Sequence, residues 1–410
     1  MRFSLFLARG LAAALLSLCA SCTPPREEPD TVVIWHQKIG AERVLFEDVV
    51  RKYNLAHPAE QVRALYREGE ALRNSFIIAA VAGQGPDLVF GPADNVGIFA
   101  ETRVIRPWNE VLDGAFLGRF TGDGVVSWNG KPWLVSDQIG SQLMLVYDRA
   151  ALRSPPRTLQ ELAGTGRTLT LRDSGAITRH ALVWNNAEPY FFIPFLTGFG
   201  GWIMDEQGNP TLDTPETHAA LHFVLDLGKK YGVTPSYADY DSADLLFKSG
   251  GAAMTINGPW AWAEYGVPER SMLALLPINE ATGLRCRPLL AAKGYCLSIN
   301  TPAEKFGIVR HVLEHLTGAE VQAEMAARLF TTPTLKSVIA SPAVANDPVL
   351  RLAIEQATLS VSTPVTPRLR YVWDGMRGPY RRVMSGEISP EEGARLMQRE
   401  AEKRIAEGMP

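Results

Sequence analysis

Two pairs of histidines in this chain have the spacing that a helix needs to present both rings on one face. His311-Val312-Leu313-Glu314-His315 has the H-x-x-E-H order of one group of zinc peptidases, and His218 and His222 repeat the i, i+4 interval with no glutamate between them. Zinc chemistry also needs a third protein ligand and an open coordination position, and neither segment supplies them locally. Ordinary surface histidines on amphipathic helices are the simpler reading, and no metal ligand is assigned. The phosphate-cradling loop G-x-x-x-x-G-K-[ST], the nucleophile elbow G-x-S-x-G and a G-x-G-x-x-G after a strand are all missing. What stands out instead is Ala252-Ala253-Met254-Thr255-Ile256-Asn257-Gly258-Pro259-Trp260-Ala261-Trp262. Ala253 to Ile256 reads as a buried strand, Asn257-Gly258 as a turn, and Pro259 as the first residue of a helix. Trp260 then falls where a strand hands over to a helix, the edge at which open α/β sheets hold ligands. Two readings fit it: a ring free to stack on a ligand, or a ring in the core beside Trp262.

Such an edge requires strands and helices in alternation, and the chain supplies them. Val32 to Trp35 reads as a strand; Leu45, Phe46, Val49, Val50 and Tyr53 recur at helical spacing before Pro58. Gln61 to Tyr66 is a strand, Leu72 to Ala82 a helix and Asp87 to Phe90 a strand, a β-α-β-α-β run that predicts a mostly parallel sheet. A second alternating set starts near Gln142 and includes a helix opened by Asp213-Thr214-Pro215-Glu216, a capping-box pattern. With 410 residues, 46% of them hydrophobic, the chain has material for two cores. A net charge of −3 and the lack of basic runs interleaved with aromatics leave nucleic-acid binding without support.

The Ala252 to Trp262 stretch closely resembles the corresponding segment of the maltose-binding proteins, within the family 1 extracellular solute-binding proteins of ABC importers. Gly85-Pro86-Asp87-Leu88-Val89-Phe90, Glu188-Pro189-Tyr190-Phe191 and Trp373 with Arg377 resemble that family in the same order, so the likeness runs from about Thr31 to about Ile405. It implies a periplasmic-binding-protein-like fold of type II: two discontinuous α/β lobes joined by a hinge, one at 31–140 plus 297–340 and the other at 141–296 plus 341–405. It implies a ligand between the lobes, with Tyr190, Trp260 and Trp373 offering faces and Lys38, Asp94, Glu188 and Arg377 offering edges. Asn95, Gln142 and Pro189 complete the expected set. Sugars suit such a site, since their hydroxyls lie around the ring and their C–H faces above and below it. Three departures bear on specificity: Gly91 stands where the pattern has a Trp, Asn95 where it has an Arg, and Arg73 and Asn74 where it has acidic residues. A glutamate near the crossover is replaced by Ser141 or Gln142. One ring and several charged edges fewer point to a different or shorter sugar.

The resemblance thus implies the sugar-binding subunit of an ABC transporter, taking a di- or oligosaccharide such as an α-glucoside, with no cofactor and acting as a monomer. The alternatives are a binding protein for another sugar or a glycerol-phosphate, a sensory or adhesive lipoprotein, and a glycoside hydrolase. Hydrolysis would need Asp94 and Glu188 held roughly 5–10 Å apart, and the resemblance puts them on opposite lobes, so closure would change their distance. The chain is therefore not expected to be an enzyme. Its first 22 residues read as a leader, with Arg2 and Arg9 before the apolar run Leu11 to Leu18. Cys19-Ala20-Ser21-Cys22 resembles a bacterial lipoprotein box with Cys where Leu is usual, which makes Cys22 the lipidated residue. Residues 23–30, with three prolines, read as a tether. The expected location is the cell envelope, on the extracytoplasmic face of a bacterial membrane, with the transporter's membrane subunits as partners. Cys286 and Cys296 remain as either a disulfide or two thiols.

Overall fold

The computed structural model describes residues 31–408, so the leader, Cys22 and the tether lie outside the described residues. Two separate sheets organise the chain. The first has seven strands in the order Gln61–Tyr66, Thr31–His36, Leu88–Pro92, Ala292–Ser298, Lys131–Ile139, Val125–Trp128, with Ile105–Arg106 also paired to Ala292–Ser298. The second has five, ordered Ser271–Ala274, Met144–Asp148, Ala252–Asn257, Ala176–Val183, Leu171–Asp173. The N-terminal β-α-β-α-β unit is parallel as its alternation predicts. Beyond it the prediction of a mostly parallel sheet fails. Ala292–Ser298 runs antiparallel to both Leu88–Pro92 and Lys131–Ile139, because it enters from the other lobe rather than through a helical crossover.

Alternation along the strands explains how each sheet buries both faces. Leu88 and Phe90 enter one core of the first lobe, which also takes Leu45, Phe46, Val49, Val50 and Tyr53 of the helix Gly40–Ala56. Val89 points the other way, into a core with Phe76 and Phe99. In the second lobe Leu145 and Met144 divide in the same manner between two cores. Thr214 caps the helix Pro215–Lys229 by accepting from the Thr217 N–H, and Asp213 instead meets His218 at 2.9 Å. The helix therefore starts one residue later than the capping-box pattern places it.

Both lobe boundaries need correction, and the open question of the two cysteines is resolved. All seven residues of Ala292–Ser298 belong to the first sheet, so the return to the first lobe precedes 292 rather than falling at 297. Val344 and Leu350 pack in the first lobe's core while Val349 and Ala353 pack in the second's, so the crossing set at 341 comes too early. Cys286 and Cys296 are both free and buried in cores of different lobes, with burial pushing both thiols up. In the helix Phe306–Leu316, Glu314 pairs with Arg310, His311 faces Glu60, and His315 packs on the Tyr53 ring.

Candidate ligand-binding site

The parallel strands Thr31–His36 and Leu88–Pro92 and the strand Ala252–Asn257 all end toward one cleft between the lobes, with a cavity of about 410 Å³. Seven of the ten expected residues line it: Asp94, Asn95, Glu188, Tyr190, Trp260, Trp373 and Arg377. Local structure explains how each arrives. Asp94 precedes the short helix Asn95–Glu101 without capping it, so its carboxyl is left for the cleft, and its Oδ1 is buried with no partner. Burial pushes the Asp94 carboxyl above the usual range. Pro189 starts a tight helical turn that presents Glu188 before it and Tyr190 after it. Tyr190 donates through Oη to the Ser141 carbonyl oxygen. Trp373 and Arg377 lie one turn apart on the helix Pro367–Met384 and so face the cleft together.

The two readings of the tryptophan pair are resolved by depth. Trp262 is fully buried and donates through Nε1 to the Asn257 carbonyl oxygen at 3.1 Å. Trp260 is half-buried and lines the cleft. A Cβ on Gly258 would come within 2.2 Å of the Trp260 ring, so only glycine lets the ring fold back over the turn.

Three expected residues are not at the cleft surface. Lys38 is buried beneath it, with Nζ 3.0 Å from Asp137 Oδ2 and 3.3 Å from Glu42 Oε1. A lysine enclosed by two carboxylates has little donor capacity to spare. Gln142 is fully buried against Thr332 Oγ1 at 3.3 Å, and its neighbour Ser141 takes the lining position. Pro189 is buried and does not line the cavity. Its part is to shape the turn.

The cleft carries more charged residues than the expected set named. Glu42, Glu68, Glu70, Arg73, Lys293 and Arg370 also line the cleft. The acidic groups expected where Arg73 and Asn74 stand are supplied one turn earlier. Glu68 caps the helix Gly69–Val81 by accepting from the N–H groups of Glu70 and Ala71, and Glu70 occupies its first turn. Glu70 is the centre of an ion network that crosses between the lobes. It pairs with Arg73 on its own helix, with Arg370 Nη2 at 2.8 Å and with Arg377 Nη2 at 3.3 Å. Burial opposes ionisation there, but the Arg73 hydrogen bond and the charges of Arg73, Arg370 and Arg377 hold the Glu70 carboxyl down to about 2. Arg377 Nε is 3.2 Å from Glu188 Oε1, and its Nη1 is 3.0 Å from Asp374. Burial nevertheless pushes the Glu188 carboxyl up. On the opposite rim Glu264 of the second lobe accepts from the Ala41 N–H at 3.0 Å, at the first turn of the helix Gly40–Ala56.

Rings, an unpartnered carboxyl oxygen and paired ionic edges in a cavity between two lobes can hold a neutral, hydroxyl-rich molecule. Among the described residues no cluster of histidine, cysteine and carboxylate side chains fit to hold a metal occurs.

Comparison with known proteins agrees with the fold. The model of the bacterial extracellular solute-binding proteins matches residues 48–351. A maltotriose-binding protein of Pyrococcus abyssi is 26% identical over 368 residues, 86% of this chain and 77% of the relative. The maltose/maltodextrin-binding domain of Bdellovibrio bacteriovorus, solved with maltotriose, superimposes with a TM-score of 0.88 at 34% identity, covering 92% of this chain and all of that one. The maltotriose-binding protein of Thermus thermophilus, at 23% identity and a TM-score of 0.82 over 91% of this chain and all of that one, shares the fold. The two-lobed α/β fold is shared with these solved structures, and the chain belongs to the bacterial extracellular solute-binding protein family.

Proposed function

We propose that this protein captures a maltodextrin-like di- or oligosaccharide between its lobes and delivers it to the membrane subunits of an ABC importer. The observation that carries the reading is the cleft, which Tyr190 and Trp373 line together with Asp94, Glu188 and Arg377. The maltotriose bound in the Bdellovibrio bacteriovorus structure supports an α-glucoside as the ligand class. Binding without chemistry suffices. A micromolar complex corresponds to about 8 kcal/mol, which stacked rings and charge-assisted hydrogen bonds can supply. Ligand hydroxyls that meet both lobes favour the arrangement in which Glu70 reaches Arg370 and Arg377, so binding shifts the balance toward closure. A glycerol-phosphate is disfavoured by the charge of the cavity: five carboxylates (Glu42, Glu68, Glu70, Asp94, Glu188) face four cations (Arg73, Lys293, Arg370, Arg377). A lipid on Cys22 would hold the protein at the membrane.

Thermal unfolding with maltose, maltotriose, trehalose, sucrose and glycerol 3-phosphate tests the reading, since a ligand of the native state raises its melting temperature. A rise with one or two α-glucosides is expected. A flat response to every sugar, or glucose released from maltotriose, would overturn it.

A further inference from the structure

Lys293 stands in the cleft where the resemblance offers a ring to the ligand. It lies on the strand Ala292–Ser298 of the first lobe, at a register shift between Lys293 and Gly294 where that strand pairs with Lys131–Ile139. The extra residue at that shift is Asp137 of the partner strand, so Lys293 keeps the ordinary alternation of its own strand, on the same face as Tyr295 and Leu297. Its Nζ reaches across to the second lobe and sits 4.8 Å from the centre of the Trp260 ring. The nearest carboxylate oxygen, Glu42 Oε2, is 3.9 Å away, beyond hydrogen-bond length. Oε1 of the same carboxylate is already shared by Lys38 and Gln138. Among the described residues nothing accepts a hydrogen bond from the Lys293 ammonium, although its side chain is only 13% exposed. Its three N–H donors thus face the cavity with no protein acceptor, free to meet acceptors on whatever enters it.

We propose that Lys293 is a ligand-contacting, specificity-determining residue: its ammonium covers the exposed face of Trp260 and donates to hydroxyl or ring oxygens of the bound sugar there. The Trp260 end of the cleft therefore takes the oxygen-bearing edge of a sugar unit rather than its apolar face. The acceptor is neutral, because Glu42 already balances the lysine's charge. Burial lowers the affinity of Lys293 for its proton, and Glu42 offsets only part of this. This inference rests on the sugar-binding reading above.

Calorimetric affinity for maltotriose, and for whichever sugar raises the melting temperature most, tests it with K293M and K293Q. Met keeps the stem and removes every donor, while Gln keeps two donors without charge. Expected is at least a tenfold loss for K293M, a smaller loss for K293Q, and unliganded melting temperatures close to the parent's. K293M binding as tightly as the parent, or more tightly, would overturn the role of Lys293 and make its ammonium a mere cover on the ring, with sugar binding itself intact. A parent protein that binds no sugar would overturn the functional reading and this inference with it.

Discussion

The contact between Glu264 and the Ala41 N–H offers a direct measure of what closing the lobes is worth, because Glu264 does not line the cleft. Its carboxylate lies at the positive end of the 17-residue helix Gly40–Ala56, whose preceding residue Ile39 makes no side-chain cap. A side-chain acceptor at a helix start contributes about 0.5–2 kcal/mol, and the dipole adds about 0.3–1 kcal/mol for an exposed charge. With a third of the Glu264 side chain exposed, screening trims the sum to about 1–2 kcal/mol. The contact exists only when the lobes meet, so E264A takes that amount from the closed form alone. Apparent sugar affinity should then fall about five- to thirtyfold, with the bound protein more expanded in solution scattering. E264Q keeps an acceptor for Ala41 and should lose only part of this. Glu264 also pairs with Lys248 in its own lobe, and that loss should appear in the melting temperature rather than in affinity. Gly40 supplies an independent check. Its φ is +51° and an added Cβ would lie 1.9 Å from Glu264 Oε1, so G40A should weaken binding by obstructing the same approach. Affinity unchanged in both E264A and G40A, with only the melting temperature moved, would refute the claim that this contact governs closure.

Three further outcomes follow from the cleft's electrostatics. D94N should raise the unliganded melting temperature at neutral pH while weakening sugar binding about tenfold or more, because Asp94 Oδ1 is buried without a partner. Since burial raises its pKa, the penalty is absent below the ordinary carboxylate range and grows as pH rises through the raised value; the gain in stability must therefore vanish in acid, and a gain that persists there rejects this origin. Glu70 behaves oppositely. Held down to about 2 from 4.5, its contribution is complete above pH 4.5 and is lost as pH falls toward 2. Half-exposure limits it to about 1 kcal/mol, so E70Q should flatten part of the decline in melting temperature between pH 5 and 2, and an unaltered decline argues against the network. R377A should lower both affinity and stability, the latter by about 1 kcal/mol, because it leaves Glu188, whose side chain is 23% exposed, with only the longer Arg381 contact at 3.8 Å; calorimetry and thermal unfolding would separate the two, and full stability in R377A would show that Glu188 does not depend on it.

What was legible in the sequence shares one physical property: it is local. The strand, turn and proline before Trp260, the helical turn after Glu188 and the four-residue spacing of Trp373 and Arg377 each fix a side chain's direction within one short segment. Those residues line the cleft. The missed ones are aimed by contacts between distant segments. Lys38, Glu42, Asp137, Gln138, Lys293 and Tyr295 form one buried polar group around two lysines, drawn from three distant stretches of the chain. No spacing within a segment could show that Lys38 would be consumed by that group while Lys293 would be left with open donors. Lys293 follows the ordinary alternation of Ala292–Ser298 with Tyr295 and Leu297, but the place of that strand in the first sheet is visible only in its pairing with Leu88–Pro92 and Lys131–Ile139. Glu68 and Glu70 were hidden for a milder reason. Their helix begins at Gly69, three residues before the apolar periodicity that announces it at Leu72, and residues at a helix start face the cleft through capping geometry. Periodicity finds the face of a helix that is buried against its own lobe. The cleft-lining residues that spacing missed, such as Glu68, Glu70 and Lys293, lie at a helix start or on a strand brought in from a distant segment, where periodicity gives no guide.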